Sequence, residues 1–289
     1  MRKVFIFCGL ILPLLIHAQP GSEIYLAKLM VTKNQITIAA PKNISNHKGY
    51  DSQPFFHPLQ PLLYYASFND SGRSDIKAYN YQTNITKNFT TTAEREYSPT
   101  VTPDGKFISC IIQRDNGAQD LGKYPINGGE PEILINYMLV GYHVWIDNKS
   151  LLLFVLDDTT HNSLHYFNEI TKEDVVIAQN PGRSLHKIPG ENAVSFVEKV
   201  NDEEWLIKKF DVKTRAISSI TKTLPKREDL CWLNTGTILM SDGEKLFSFD
   251  PKKDKEWMPV KVQSSMPLKG VTRIAVNKIN TKIALVMAE

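Results

Sequence analysis

Residues 272–289 read TRIAVNKINTKIALVMAE and end the chain of 289 residues. Two short apolar runs, RIAV and KIALVM, flank a polar NKINT segment. Runs of this length, rich in Ile and Val and split by turn residues, predict a pair of antiparallel strands rather than a helix. A lone hairpin is marginally stable in water, so this one needs partners. The sequence supplies them at its other end. EIYLAKLMV (23–31) and QITIAAPKNI (35–44) have the same strand character and precede the first complete repeat unit. The expectation is a blade assembled from both ends of the chain, two strands from each.

The repeat is clearest in 96–134, EYSPTVTPDGKFISCIIQRDNGAQDLGKYPINGGEPEIL. A short strand ends in TPDG, where Pro sets φ and Asp and Gly suit a tight bend. An apolar strand, KFISCII, follows; then come a turn containing Asn116-Gly117, a third strand, the turn NGGEP and a fourth strand. The same order of features lies upstream in 52–92, with Gln53-Pro54 set 45 positions before Ser98-Pro99. It recurs with more drift in 142–179, 184–221 and 229–262. Units of about 40–50 residues with four strands each are the signature of a β-propeller. Five complete units and one split unit predict an all-β, six-bladed propeller of four-stranded antiparallel blades, its ring closed by the N-terminal strands.

SPTVTPDGKFISCII…NGGEPEIL resembles the repeat of the TolB-like (WD40-like) propeller family, and DSGRSDIKAYN (70–80) is similar to that family's second turn and third strand. The resemblance is sharp in the first two units, generic in the others, and spans the chain from residue 19 onward. It implies the fold and a compartment outside the cytoplasm, not a reaction, because function resides in sites rather than folds. TolB itself carries an additional N-terminal domain, and prolyl-oligopeptidase-type propellers adjoin an α/β-hydrolase domain; neither is expected here.

MRKVFIFCGLILPLLIHAQP opens the chain with a basic start, an apolar core and a small residue at Ala18. This is the layout of a secretory signal peptide, so residues 1–18 are expected to be cleaved and 19–289 to form a single periplasmic or secreted domain. The apolar run is short for a membrane span, and no insertion is expected after cleavage. Formal net charge is +3, with 42% hydrophobic and 22% charged residues. Loss of Arg2 and Lys3 brings the remainder close to neutral, which argues against the concentrated basic face that nucleic acid requires. KKDKE (252–256) reads as a solvated turn. Cys110 and Cys231 fall in units far apart in the ring and are expected as buried free thiols.

Chemical motifs are sparse. The sequence has no G-x-S-x-G elbow, phosphate-binding loop or dinucleotide fingerprint. Aligned by unit, His143 and His186 occupy matching places on first strands, where Phe55, Thr100, Leu230 and Val276 stand elsewhere. First strands line the channel of a propeller, so the imidazoles could face one cavity, with Asp147, Asp229 or His57 as a third metal ligand. Two separately hydrogen-bonded histidines are the preferred expectation, with no metal and no cofactor. Asp157-Asp158, Glu203-Glu204 and Glu94/Glu96 are the carboxylate pairs that glycosidase chemistry would need; solvated turns account for them better. Trp145 and Trp232 stand at matching places before the first turn and suit packing between blades or a stacking surface. Tyr142 and Arg273 could join a polar rim.

The functional expectation is a monomeric, non-catalytic scaffold that takes an envelope or secreted protein, a peptide or a cell-wall glycan at the channel mouth. Tyr142, His143, Trp145, His186, Trp232 and Arg273 are its candidate binding residues. The alternative is a propeller hydrolase or lyase acting on carbohydrate through channel-facing His and carboxylates.

Overall fold

The computed structural model describes residues 21–33, 35–69, 71–157 and 161–289. The expected leader, residues 1–18, lies outside them. Every regular element among the described residues is a β-strand, and the strands form six sheets that are the six blades. Inner strands touch one another in cyclic order, one to six and back to one, and so enclose a channel.

Blade one comprises Asp51–Phe56, Leu62–Phe68, Ser74–Asn80 and Ile85–Asn88, and blade two Arg95–Val101, Phe107–Gln113, Gln119–Pro125 and Glu132–Ile135. Blade three comprises Val140–Trp145, Ser150–Val155, Ser163–Asn168 and Asp174–Gln179. Blade four comprises Pro181–Lys187, Ala193–Lys199, Trp205–Asp211 and Ile217–Lys222. Blade five is shorter: Leu230–Trp232, Ile238–Ser241, Leu246–Phe249 and Met258–Pro259.

Blade six is built from both ends of the chain. Arg273–Val276 lies innermost and pairs with Lys282–Ala288, which pairs along its length with Ser22–Val31, and Ile36–Asn43 follows outside. The two-plus-two closure expected from residues 272–289 is therefore present. One feature departs from the four-stranded expectation. Lys261–Gln263, read from the sequence as the end of blade five, crosses to blade six and adds a fifth strand, parallel to Ile36–Asn43. Val260 still donates its N–H to the Leu246 carbonyl at 2.8 Å, and beyond it the chain moves on to cover an edge that would otherwise be open.

The core is a set of seams between blades. A second strand packs on both faces, so it reads as a continuous apolar run rather than an alternating one. Ser150–Val155, SLLLFV, is buried throughout. Successive side chains point to opposite faces: Leu151, Leu153 and Val155 enter the seam with blade two, and Leu152 and Phe154 enter the seam with blade four. Each such buried residue stabilises the fold by about 1.5–3 kcal/mol. The closing seam between blades six and one is apolar in the same way, with Ile24, Ala284 and Val286 against Leu63 and Tyr65.

Turn chemistry follows the sequence. In TPDG, Gly105 takes φ 70° and donates its N–H to the Thr102 carbonyl at 2.8 Å, while Asp104 Oδ1 accepts from the Thr102 hydroxyl at 2.6 Å and from the Lys106 N–H at 3.1 Å. The aligned X-Pro pairs mark matching irregularities. Gln53 and Ser98 take φ 58° and 57°, and the ladder shifts register at each. The Gln53 side chain accepts the Ser98 N–H at 2.7 Å, tying blade one to blade two. Cys110 and Cys231 are buried free thiols, as expected.

Candidate functional site

Inner strands place their side chains by position relative to the hairpin that ends them. In blades three, four and five that hairpin closes with Ile146 N–H to Ser150 O, Ile188 N–H to Ala193 O and Leu233 N–H to Thr237 O. Trp145 and Trp232 each stand one residue before the closing residue, so their equivalence holds. Both rings point back toward the preceding blade and are buried, and each indole N–H donates at 2.8 Å to a second-strand serine there: Trp145 to Ser109, Trp232 to Ser195. These tryptophans pack the seams and do not line the channel cavity.

His143 and His186 are not equivalent. His143 stands three residues before its closing residue and His186 two. A one-residue offset sends side chains to opposite faces of a strand. His143 turns toward blade two, where its Nε2 and the Ser109 hydroxyl are 2.7 Å apart. His186 turns toward blade five, with Nε2 2.9 Å from the Ser184 hydroxyl, which accepts the Leu230 N–H at 3.1 Å. Burial pushes the His143 imidazole down to about 3 and that of His186 down to about 4, so both are neutral at ordinary pH.

Of the third ligands considered for a metal, Asp229 borders the same cavity as both imidazoles but faces Arg273 and Arg183, and the other two are spent on turns. Asp147 caps its own turn through the Lys149 and Ser150 N–H groups, and His57 does the same through Leu59 and Gln60. No group of three or more His, Cys, Asp or Glu among the described residues is arranged to hold a metal ion. The carboxylate pairs are spoken for as well. Glu203 and Glu204 pair with Lys226 and Lys222 at 3.2 and 2.7 Å, and Glu94 with Arg114 at 3.3 Å. Glu96 is fully buried and accepts from Thr92 and, at 3.0 Å, from Tyr124. Asp158 lies outside the described residues.

Tyr142, His143, His186 and Arg273 do line one cavity of about 110 Å3 in the channel, together with Arg183, Asp229 and neutral groups such as Gln53 and Thr100. Arg273, on blade six, reaches across it. Its Nη2 donates to the Tyr142 hydroxyl of blade three at 2.9 Å, with the guanidinium carbon 5.2 Å from the ring centre. Blades three and six are opposite in the ring, so this bond bars the channel. Tyr142 is steadied from behind by an edge contact with Phe154.

Beside the bar sits a charged cluster of which the sequence reading pointed to Arg273 and Asp229 but not to Arg183, Glu228 or Lys199. Arg273 Nη1 lies 3.5 Å from Asp229, and Arg183 Nε lies 3.7 Å from Asp229 and 3.5 Å from Glu228. Lys199 pairs with Glu228 at 3.0 Å. The carboxylates also staple blades together: Glu228 accepts the Arg183 N–H at 3.1 Å and Asp229 the Ile274 N–H at 3.2 Å. Gly182 makes room, since a Cβ there would stand 2.8 Å from Glu228 Oε2 and 3.0 Å from Val197 Cβ. Burial pushes the Asp229 carboxyl up, against the pull of Arg273 and Arg183. A second cavity of about 110 Å3 opens on the far side of the cluster, walled by Trp205, Lys226, Arg227 and Ser241. The signal available in the sequence was spacing: Arg183, Asp229 and Arg273 recur at about one blade period, at the entrances to successive inner strands.

No family model matches this sequence, and no curated protein matches it. Solved structures do resemble the fold. A putative TolB from Agrobacterium tumefaciens aligns with TM-score 0.68 at 11% identity over 94% of this chain and 99% of that one. TolB from Acinetobacter baumannii aligns with TM-score 0.60 at 12% identity over 93% of this chain, which spans 65% of that structure's length. An oligogalacturonate lyase in complex with manganese aligns with TM-score 0.57 at 12% identity, over 86% of this chain and 80% of that one. The protein is an all-β propeller with a TolB-like, six-bladed fold. At these identities the likeness is one of fold alone.

Proposed function

We propose that the protein is a non-catalytic binding scaffold that receives a protein, peptide or envelope ligand at its channel mouth. The observation that carries this reading is the junction of two cavities at the Arg183–Asp229–Arg273 cluster, held open beside a channel that Arg273 and Tyr142 bar. A channel closed by a side-chain bond presents a recognition surface rather than a passage. The carbohydrate-enzyme alternative draws on the likeness to a lyase and on His143, His186 and Asp229 bordering one cavity, but both imidazole Nε2 atoms are engaged by serines and Asp229 faces two arginines. The scaffold acts outside the cytoplasm, in the periplasm or after secretion, as a monomeric single domain of residues 19–289 freed of its leader. It needs no cofactor, nucleic acid or bilayer.

The test is capture. Immobilised protein is challenged with solubilised envelope and retained material is identified by mass spectrometry. A partner retained by the wild type and lost by Tyr142→Ala and Arg273→Gln supports the reading. A partner whose retention ignores both substitutions moves the binding face elsewhere, and retained glycan that is turned over sinks the non-catalytic reading. Intact mass of the exported protein, expected to begin at Gln19, checks the leader.

A further inference from the structure

We infer that the group received at the channel mouth is a carboxylate of an acidic peptide, an Asp or Glu side chain or a chain terminus, lodged between Arg183 and Arg273. The inference rests on the scaffold reading and names the chemistry of its ligand.

The charge favours an anion. The cavity beside blades four to six is walled by four cationic side chains, Arg183, Lys226, Arg227 and Arg273, and by two carboxylates, Glu228 and Asp229. The two arginines nearest the channel also hold unused donors. A guanidinium has five N–H groups in a planar fork. Arg183 donates one to the Thr272 carbonyl at 3.3 Å, while its Nε is buried and has no hydrogen-bond partner. Its nearest carboxylate oxygens stand 3.5 and 3.7 Å away, longer than the 2.7–2.9 Å of a charge-assisted bond. Arg273 spends one donor on Tyr142 and sits 3.5 Å from the same Asp229. Asp229 is thus shared loosely by two guanidiniums, while Glu228 is committed to Lys199 and to the Arg183 backbone N–H. An incoming carboxylate would meet guanidinium donors that the two wall acids leave unfilled.

Size and surface favour a peptide over a sugar. A cavity of about 110 Å3 is small beside the roughly 300–1,000 Å3 of an ordinary small-molecule site, which suits a carboxylate better than a whole sugar ring. Sugar sites also want a free aromatic face. Trp205 is covered by Lys199 at 4.5 Å, and Tyr142 is overlain by Arg273. A monoanion suits the site better than a phosphate dianion, because Glu228 and Asp229 remain in the wall to repel the extra charge.

The test uses short synthetic peptides with a fluorescent label. One has blocked ends and a central glutamate. The second replaces the glutamate with glutamine and leaves the carboxyl terminus free. The third carries glutamine and is blocked at both ends. The first two are expected to bind and the third not, with acetate competing. Arg183→Gln and Arg273→Gln should each weaken binding about tenfold or more. Arg273→Lys keeps the charge and loses the fork, so it should also bind weakly while melting as the wild type does. Asp229→Asn removes the competing acid and should tighten binding about threefold. That sign distinguishes a displaced carboxylate from a merely structural one. Equal binding of the fully blocked glutamine peptide, weaker binding by Asp229→Asn, stronger competition by phosphate or galacturonate than by acetate, or no binding of either acidic peptide at millimolar concentration overturns the inference. If the peptides fail while a captured envelope partner still depends on Tyr142 and Arg273, the carboxylate falls and the scaffold stands; if both fail, both fall.

Discussion

The two halves of the ring handle buried acids in opposite ways. Blades one and two hide theirs behind the channel wall. Asp51 and Glu96 are fully buried at the entrances to successive inner strands, 45 residues apart. Neither faces a guanidinium. Asp51 has His47 at 3.9 Å, with Ser67 and Lys77 also nearby, and Glu96 is met by the hydroxyls of Thr92 and Tyr124. Burial pushes both carboxyls up, as it does Asp229, but no arginine stands against them. Blades four to six bring Glu228 and Asp229 to the cavity and set Arg183 and Arg273 against them. Asp51 and Glu96 bring no free donor with them. A loosely shared arginine leaves donors free, and that difference is why the proposed site lies in one half of the ring.

Neither half survives without the closing blade, and the largest expected effect is there. Ending the chain before Lys282 removes the strand between Arg273–Val276 and Ser22–Val31. It would strip the partner from both and open the seam with blade one. The truncated protein should be insoluble or unfolded by circular dichroism and size-exclusion chromatography. A soluble monomer with wild-type melting would break the closure argument and the comparison built on it.

Arg273→Leu is next. It leaves Asp229 with Arg183 as its remaining guanidinium and removes the bond across the channel. Breaking a largely buried ion pair costs about 3–5 kcal/mol. Arg73→Leu makes the matching change at an exposed pair, Arg73–Asp115 at 2.7 Å, and should cost far less, because exposed ion pairs are screened by solvent. Urea unfolding of the two variants compares them directly. Similar losses would mean that the cluster is as solvated as the surface pair.

Much of this architecture was legible because propeller blades repeat their punctuation. Gln53-Pro54 and Ser98-Pro99, TPDG and the split last unit located strands and closure without any knowledge of side-chain contacts. The site was less legible. Matching His143 to His186 by spacing failed by one residue because inner strands carry register shifts, between Val140 and Tyr142 in blade three and between Pro181 and Leu185 in blade four. A bulge absorbs residues without changing the pattern around it. Counting from the closing hairpin rather than from the previous repeat would have separated the two imidazoles. Arg183 escaped notice because its partners, Glu228 and Asp229, lie a blade away and its own surroundings, PGRSL, look like an ordinary connection.

Acidity should tell the buried groups apart. Glu96 holds its proton above the ordinary 4.5, so its contribution to stability is complete below that value and is lost as pH rises through the folded pKa. His143, lowered from 6.5 to about 3, contributes fully above 6.5 and loses that contribution as pH falls toward about 3. Their slopes oppose each other from about pH 4.5 up to the folded pKa of Glu96 or 6.5, whichever is lower. Glu96→Gln, which keeps an acceptor for Thr92 and Tyr124, should make stability rise more steeply with pH across this window. His143→Asn should make it rise less. A tenfold change in a group's proton affinity on folding corresponds to about 1.4 kcal/mol, so the changes in slope are within reach of urea unfolding followed across pH. Parallel profiles for wild type and both variants would show that these groups titrate as exposed ones do.

Tyr142→Phe gives the finest cut. It removes one hydroxyl, the partner of Arg273 across the channel, and keeps the ring against Phe154. A single hydrogen bond to a charged group contributes about 1.5–3 kcal/mol when its loss strands the charge, but Arg273 retains Asp229 at 3.5 Å. The expected loss is therefore below that range, about 1 kcal/mol in urea unfolding. The freed guanidinium fork should also bind a carboxylate peptide at least as tightly as before, because the ligand no longer competes with the phenol. Loss of stability together with loss of binding would mean that the bar positions Arg273 for its ligand. The neutral half of the ring would then be part of the site rather than a wall opposite it.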